Sequence, residues 1–312
     1  MPTHNTSPLA LNSRRRGFTL TELLIVFMII AILAGMALSA LSGAQEMARA
    51  SRTRAIITKL DQLLMEKWDA YLTRAVPVKN TANMNPRLLA NARLRALHEL
   101  MRMELPDRKS DVTTGCKALS APPSLWSGHN RRAGTNWTTP YEGAECLYLI
   151  IGSMRDGDQS ALDFFTTDEI GDFDGDGMKE ILDGWGQPIE FLRWAPGYVV
   201  QNDALTMQTT NSDQSPDPFD PLKVDCYVGM TTNRWSDTDP NKRPYALTPL
   251  IYSPGPDRLY DISQGSDSSG VTVNYTTETV KNDPYTKPSG GQQAGFPGTG
   301  HEDNITNHFE AP

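Results

Sequence analysis

The stretch Arg14-Arg15-Arg16-Gly17-Phe18-Thr19-Leu20-Thr21-Glu22, continued by LLIVFMIIAILAGMALSAL at 23–41, decides how the rest of the chain is read. The run 23–41 holds 19 residues, and only Gly35 and Ser39 interrupt its apolar character. As a helix it spans roughly 28 Å at 1.5 Å per residue, about one bilayer core. Basic residues stay on the cytoplasmic side of a span, so the arginines put the leader inside and send the C-terminal body across. A plain secretory signal peptide is one alternative, but it predicts a short apolar region and a small-residue cleavage site. Here the run is long, and its helical pattern continues through Gln45, Met47, Ile56, Leu60, Leu63, Leu64 and Trp68. A simple anchor is a second alternative. Neither gives a reason for Glu22, since a carboxylate at the mouth of an apolar run is costly in lipid unless it meets a cation.

The residues Arg15-Arg16-Gly17-Phe18-Thr19-Leu20-Thr21-Glu22-Leu23-Leu24 resemble the leader junction of type IV pilins and type II secretion pseudopilins. The resemblance is close over 14–41. It implies cleavage after Gly17 by a prepilin peptidase, N-methylation of Phe18, and pairing of Glu22 with the N-terminal amine of a neighbouring subunit. It also implies an inner-membrane assembly platform, homo- or hetero-pseudopilin partners, and a pilin-like α+β fold with a long N-terminal helix packed on a small antiparallel sheet. Many type IV pilins carry a proline well inside this helix; Ser39 stands there, so a helix break is not expected. The physical logic agrees. Cleavage would release an α-amine beside a buried acid, and pairing across subunits would cancel both charges in a low-dielectric setting. Leu23, Ile25, Ile29, Ile32 and Leu33 would supply lateral contacts, or simply anchor the chain in lipid.

Composition sets outer bounds. The chain has 312 residues, 21% charged and 38% hydrophobic, which suits a packed domain rather than a disordered or multi-span protein. Its formal charge is −8, and loss of a leader bearing three arginines and no acid takes it to −11. Nucleic-acid binding is disfavoured, because phosphates need a basic face. Cys116, Cys146 and Cys226 leave an odd thiol. In an oxidising compartment Cys116–Cys146 is the preferred disulfide, and three reduced thiols are the alternative.

The organisation follows from punctuation. Residues 1–17 form the leader and 18–41 the membrane half of the helix. An amphipathic half follows to 76, with Pro77 as the break; 55 residues from Phe18 give about 80 Å of helix. Residues 77–262 are expected to form the globular body with large loop insertions, and 263–312 a poorly ordered tail rich in Ser, Gly and Thr. Within the body, Pro86 opens a second helix ending near Leu105, with Leu94, Leu97 and Met101 at helical spacing. Residues 107–139 read as loop-rich, with Trp126 and Trp137 as local core. Residues 144–154 are compactly apolar and suit a short helix better than a strand. Strands are expected at 188–194 and 246–252, and 202–244 reads as a loop insertion. The phrases Asp183-Gly184-Trp185-Gly186-Gln187-Pro188 and Tyr252-Ser253-Pro254-Gly255-Pro256-Asp257 resemble the C-terminal sheet of the major pseudopilin.

The sharpest chemical motif is Asp172-Phe173-Asp174-Gly175-Asp176-Gly177-Met178-Lys179-Glu180-Ile181-Leu182-Asp183. Carboxylates at positions one, three and five surround one point, a glycine at six permits the sharp turn, and an acid at twelve can close the shell. The predicted calcium ligands are Asp172, Asp174, Asp176, the Met178 carbonyl, Glu180 (directly or through water) and Asp183. Position twelve is Asp rather than the bidentate Glu of EF-hands, and the pattern is closer to short dockerin-like or thrombospondin-like loops. A solvated acidic turn is the bland alternative. By the pseudopilin resemblance, Asp257, Asp261 and Asp267 are secondary candidates.

No HExxH, GxSxG, Walker loop or dinucleotide fingerprint occurs, and His98, His129, His301 and His308 lie in no recognisable catalytic context. No catalytic residue is therefore expected. The leading expectation is a structural subunit of a type II secretion pseudopilus or type IV pilus-like fibre, single-pass in the inner membrane, with its body in the periplasm or outside the cell. The alternative is a membrane-tethered, calcium-dependent binding module that does not polymerise.

Overall fold

A computed structural model describes residues 18–79, 82–196, 198–201, 204–207, 213, 215–226, 232–239, 242–263, 285, 295, 298 and 300–308. The leader with Gly17, Asp267 and most of the expected tail lie outside the described residues. The chain divides into two compact units, Met1–Met47 and Ala48–Pro312.

Helix α1 (Leu20–Ala70) contributes to both. In the first unit every described residue is exposed, including the whole apolar run. By length and composition this helix can cross a membrane. In the second unit the pattern changes. Thr53, Ile56, Ile57, Leu60, Leu64 and Trp68 are buried at three- and four-residue spacing, and Tyr71 continues the stripe just past the helix end. That is one face of a 3.6-residue period, set against charged residues such as Arg54, Lys59 and Glu66.

Helix α2 (Pro86–Glu104) begins where expected: Asn85 accepts from the Leu88 amide at 2.8 Å, and proline occupies the first turn. Helices α3 (Lys109–Thr113) and α4 (Ser124–Arg132) lie in the segment expected to be loop-rich. Both are held by long-range polar contacts that local patterning does not encode: Trp126 Nε1 donates to the Asp111 carbonyl at 3.0 Å and Asn130 to the Val112 carbonyl at 3.1 Å. Helix α5 (Glu142–Ser153) covers the 144–154 run. Its Gly143 is required by close packing, since a Cβ there would fall 2.8 Å from the Phe191 carbonyl and 2.4 Å from Glu190 Oε2.

The strands are short. β1 (Arg155–Asp156) and β2 (Gln159–Ser160) form one hairpin; β3 (Ile170–Gly171) and β4 (Glu180–Ile181) pair on either side of the acidic motif. β5 (Glu190–Pro196) is followed by a hairpin of β6 (Tyr198–Gln201) and β7 (Ala204–Met207). β8 (Leu247–Ser253) pairs antiparallel with β5, and β9 (Ile305–Thr306) adds to its other edge, giving the order β5-β8-β9. The β5–β8 register slips between Leu192 and Ala195, opposite Pro249. Proline has no amide to donate, so a bulge is where a paired strand tolerates it. The Pro249 carbonyl is taken instead by Asn307 at 3.0 Å and His308 at 2.7 Å.

Three expectations are corrected. The insertion expected over 202–244 contains strand β7, because 204–207 finds a partner in 198–201. The expected tail returns to the sheet at Ile305–Thr306, where Ser253 and Tyr252 supply the ladder that composition alone could not reveal. None of the three cysteines forms the expected disulfide or any other. Cys146 is buried with Val112, Trp137, Leu149 and Met178, whereas Cys116 packs against the main core beside the Leu119 carbonyl. The fold is otherwise α+β as expected, with a long N-terminal helix and small antiparallel sheets.

The main core joins the α1 stripe to Leu100 and Met101 of α2, Ile150 and Ile151 of α5, and Ile189, Phe191 and Ile251 of the sheet region. Buried charge reinforces it. Arg193 on β5 reaches Asp111 Oδ2 at 2.9 Å, Asp107 Oδ1 at 3.3 Å and the Leu105 carbonyl at 2.7 Å. Glu104 receives both terminal nitrogens of Arg74 at 2.7 Å and the Tyr71 hydroxyl at 2.8 Å, tying the end of α1 to α2. Breaking a buried pair leaves its partner uncompensated. Arg193→Met should therefore lower unfolding stability by about 3–5 kcal/mol, measured by denaturant unfolding in detergent; an unchanged midpoint would show that the ion cluster is not structural.

His129 generates a second prediction. It is fully buried with Nε2 3.3 Å from the Glu104 carbonyl, and burial lowers its pKa to about 4. The unfolded chain takes up this proton near pH 6.5, while the folded chain resists until about pH 4. Stability from this group is thus present above pH 6.5 and is lost as pH falls toward 4, by about 3 kcal/mol in all. His129→Gln should flatten that slope relative to the parent; parallel pH profiles for the two proteins would contradict it.

Candidate functional site

Two separate features carry the functional residues. The first is the start of α1. Thr19 and Glu22 form a capping box: the Thr19 amide donates to Glu22 Oε2 at 2.8 Å, and the Glu22 amide donates to Thr19 Oγ1 at 3.2 Å. The Thr19 hydroxyl also donates to Glu22 Oε2, at 2.9 Å. Two of the helix's orphan amides are satisfied in this way, so Glu22 has a local task in the single chain. Both of its bonds from Thr19 fall on Oε2. The Thr-x-x-Glu spacing of Thr19 and Glu22 is a helix-start signal legible in the sequence. Phe18 is exposed beside this cap. Ser39 donates to the Met36 carbonyl at 2.9 Å and the helix runs on unbroken.

The second feature is the acidic loop between β3 and β4. Gly175 and Gly177 adopt φ of +79° and +96°, conformations that side-chain-bearing residues rarely take. Asp172 accepts from the amides of Gly175 at 2.8 Å and Gly177 at 3.2 Å, and Asp176 accepts from Met178 at 2.8 Å. Single oxygens of Asp172, Asp174 and Asp176 lie within 4.8 Å of one another. A second trio, Glu145, Asp174 and Glu180, meets the same limit. That limit is twice a calcium–oxygen bond of about 2.4 Å, so either trio can face one hard cation.

The loop is framed by residues distant in sequence. Thr138 donates its hydroxyl to Asp174 at 2.9 Å and its amide to Asp176. Glu145, from α5, accepts from the Trp137 indole, and Glu180 accepts from the Phe173 amide at 2.9 Å. Burial raises Glu145 to about 9 and Glu180 to about 7, with the neighbouring aspartates adding to both. Asp176 behaves differently: burial pushes it up, but the Met178 and Thr138 amides more than offset this and hold it below its ordinary value. Glu145, Thr138 and Trp137 were not among the predicted site residues, and no local spacing could have revealed them.

The remaining predicted ligands are placed differently. Met178 buries its side chain, and its sulfur accepts from the Gly134 amide at 3.1 Å. Asp183 belongs to neither trio. Its Oδ1 accepts from the amides of Trp185 and Gln187 at 2.8 and 2.9 Å, and its Oδ2 accepts from Ser253 at 2.7 Å. It therefore joins the two phrases that resembled the pseudopilin sheet. Asp257 and Asp261 lie close enough to Asp303 to raise its pKa alongside burial, but no trio of the kind found in the acidic loop includes them among the described residues. The histidines are packing residues: His98 is buried edge-on to Trp194, and His301 Nδ1 lies 2.8 Å from the Gly298 carbonyl.

With this geometry in view, comparison with known proteins is informative at one end of the chain. No curated protein and no solved structure matches it. Residues 12–38 match the prokaryotic N-terminal methylation motif, the segment that contains the capped helix start and most of the exposed apolar run. The chain thus carries a prepilin-type N-terminal methylation signal over these residues.

Proposed function

We propose that this protein is a structural subunit of a type II secretion pseudopilus or type IV pilus-like fibre, cut after Gly17 by a prepilin peptidase and methylated at Phe18. The observation that carries the reading is the apolar surface of α1 over 23–41, exposed throughout, with Glu22 held at its mouth by Thr19. Before assembly, lipid of the inner membrane covers that surface. In a fibre, sister helices cover it, and the Phe18 amine of a neighbour reaches Glu22. The charge pair sets axial register while apolar side chains supply most of the contact. An inner-membrane assembly platform would feed in such subunits, with the body on the far side of the membrane. The acidic loop would hold a structural calcium ion, because clustered carboxylates repel one another unless a cation neutralises them.

A second reading, a tethered calcium-dependent binding module that never polymerises, draws on the same loop but gives Glu22 no cation to pair with. Two measurements separate them. Mass spectrometry of material from cells should find methyl-Phe18 as the first residue, and Glu22→Val should leave the chain in the membrane while abolishing fibre formation. An intact leader, or fibres built from Glu22→Val, would refute the assembly reading. For the loop, Asp174→Ala should remove a calcium-dependent rise in melting temperature that the parent displays; a parent whose melting is indifferent to calcium would end the calcium assignment.

A further inference from the structure

We propose that the cation of the acidic loop is closed from the inside by Glu145 of α5 together with Glu180, in place of Asp183, so that one ion fastens α5 to the loop. This rests on the calcium reading above and assigns its ligands. Glu145 and Glu180 are fully buried, and each has one oxygen, Oε1, with no hydrogen-bond partner. A buried carboxylate oxygen without a donor is among the more expensive groups a fold can hold. One oxygen each of Glu145, Glu180 and Asp174 lie within 4.8 Å of one another.

Their other oxygens explain how they are aimed. The Trp137 indole N–H holds Glu145 Oε2, and the Phe173 amide holds Glu180 Oε2 at 2.9 Å. A hydrogen bond to one oxygen is how ligand carboxylates are held in metal sites. Asp174 belongs to the outer trio as well as the inner one, so an ion there draws on exposed and buried acids together. Asp183 is already committed, with amides on one oxygen and the Ser253 hydroxyl on the other. Hard divalent cations with oxygen shells suit this donor set, and calcium tolerates its irregular layout.

The test is calorimetric titration of the full mature chain in detergent with calcium chloride alone, comparing the parent with Glu145→Gln, Glu180→Gln, Asp183→Asn and Asp174→Ala. Glu145→Gln and Glu180→Gln should each weaken binding about tenfold or more, within the range seen when a metal site loses a supporting group. Asp183→Asn should leave affinity within about twofold and lower the melting temperature equally with calcium or chelator, as expected when buried hydrogen bonds are lost. Near-UV circular dichroism in chelator checks that each variant is folded. Gln at 145 retains an acceptor for Trp137, and if that variant is nevertheless unfolded, Glu180→Gln decides. Parent-like binding by the two glutamine variants alongside loss in Asp174→Ala would overturn the inner closure and leave calcium at the loop. Equal weakening by Asp183→Asn would overturn it too. Absence of binding by the parent would overturn both.

Discussion

Exposed apolar surface on the first part of α1 is the constraint from which the remainder follows. From Leu23 to Leu41 the helix is apolar on every side, and each of these residues is exposed. The hydrophobic effect is indifferent to the source of cover, so lipid or identical helices serve equally well. Beyond Ala50 the same helix carries a stripe instead of a sleeve, and Ile56, Leu60, Leu64 and Trp68 enter a core shared with α2, α5 and the sheet. One element thus carries an exposed apolar sleeve and a buried stripe, and the change of pattern along it marks where each begins. At its start, the Thr19–Glu22 capping box satisfies orphan amides.

Buried acids in the body fall into two kinds. Glu99 accepts from the amides of Lys117, Ala118 and Leu119 at 2.7 to 2.9 Å, Glu104 takes Arg74 and Tyr71, and Asp111 takes Arg193 and Arg102. Each of these offsets its desolvation with donors, as a structural charge must. Glu145 and Glu180 do so on one oxygen only. Satisfaction of lone pairs therefore separates Glu145 and Glu180 from the acids that build the body. Acid content alone makes no such distinction, and by that measure Asp183 ranked with Asp174.

The contrast also explains what could be read in advance. α1, α2 and α5 carried periodicity and punctuation: Asn85 and Pro86 before an amphipathic run, Pro77 after one. The strands around Phe191 and Ile251 carried β-prone residues between turn signals. Helices α3 and α4 did not, because the Arg102–Asp111–Arg193 cluster that steadies them spans some ninety residues of sequence. Strand β9 is two residues long and has no pattern of its own; β8 defines it. In the acidic loop, positions one, three and five converge as their spacing implied, since the glycine turns are local. Position twelve does not join them. A partner 70 residues away, Ser253, holds that carboxylate, and ligand spacing is blind to such competition.

That competition has a mechanical consequence. Asp183 orders the turn that follows it, and the next residue, Gly184, is where α1 seats: its amide donates to Thr53 Oγ1 at 2.9 Å, and a Cβ there would fall 2.4 Å from the Arg49 carbonyl. Only glycine permits that approach. Between Asp172 and Gly184 the chain passes from the acid cluster, through β4 with Ile181 in the main core, to the seat of the helix. Had Asp183 turned toward the loop, the Ser253 hydroxyl and the amides of Trp185 and Gln187 would have lost their acceptor, and the seat its order. The acid at position twelve is spent on docking the helix, and the only buried carboxylates left to face the cluster are those on β4 and α5 among the described residues.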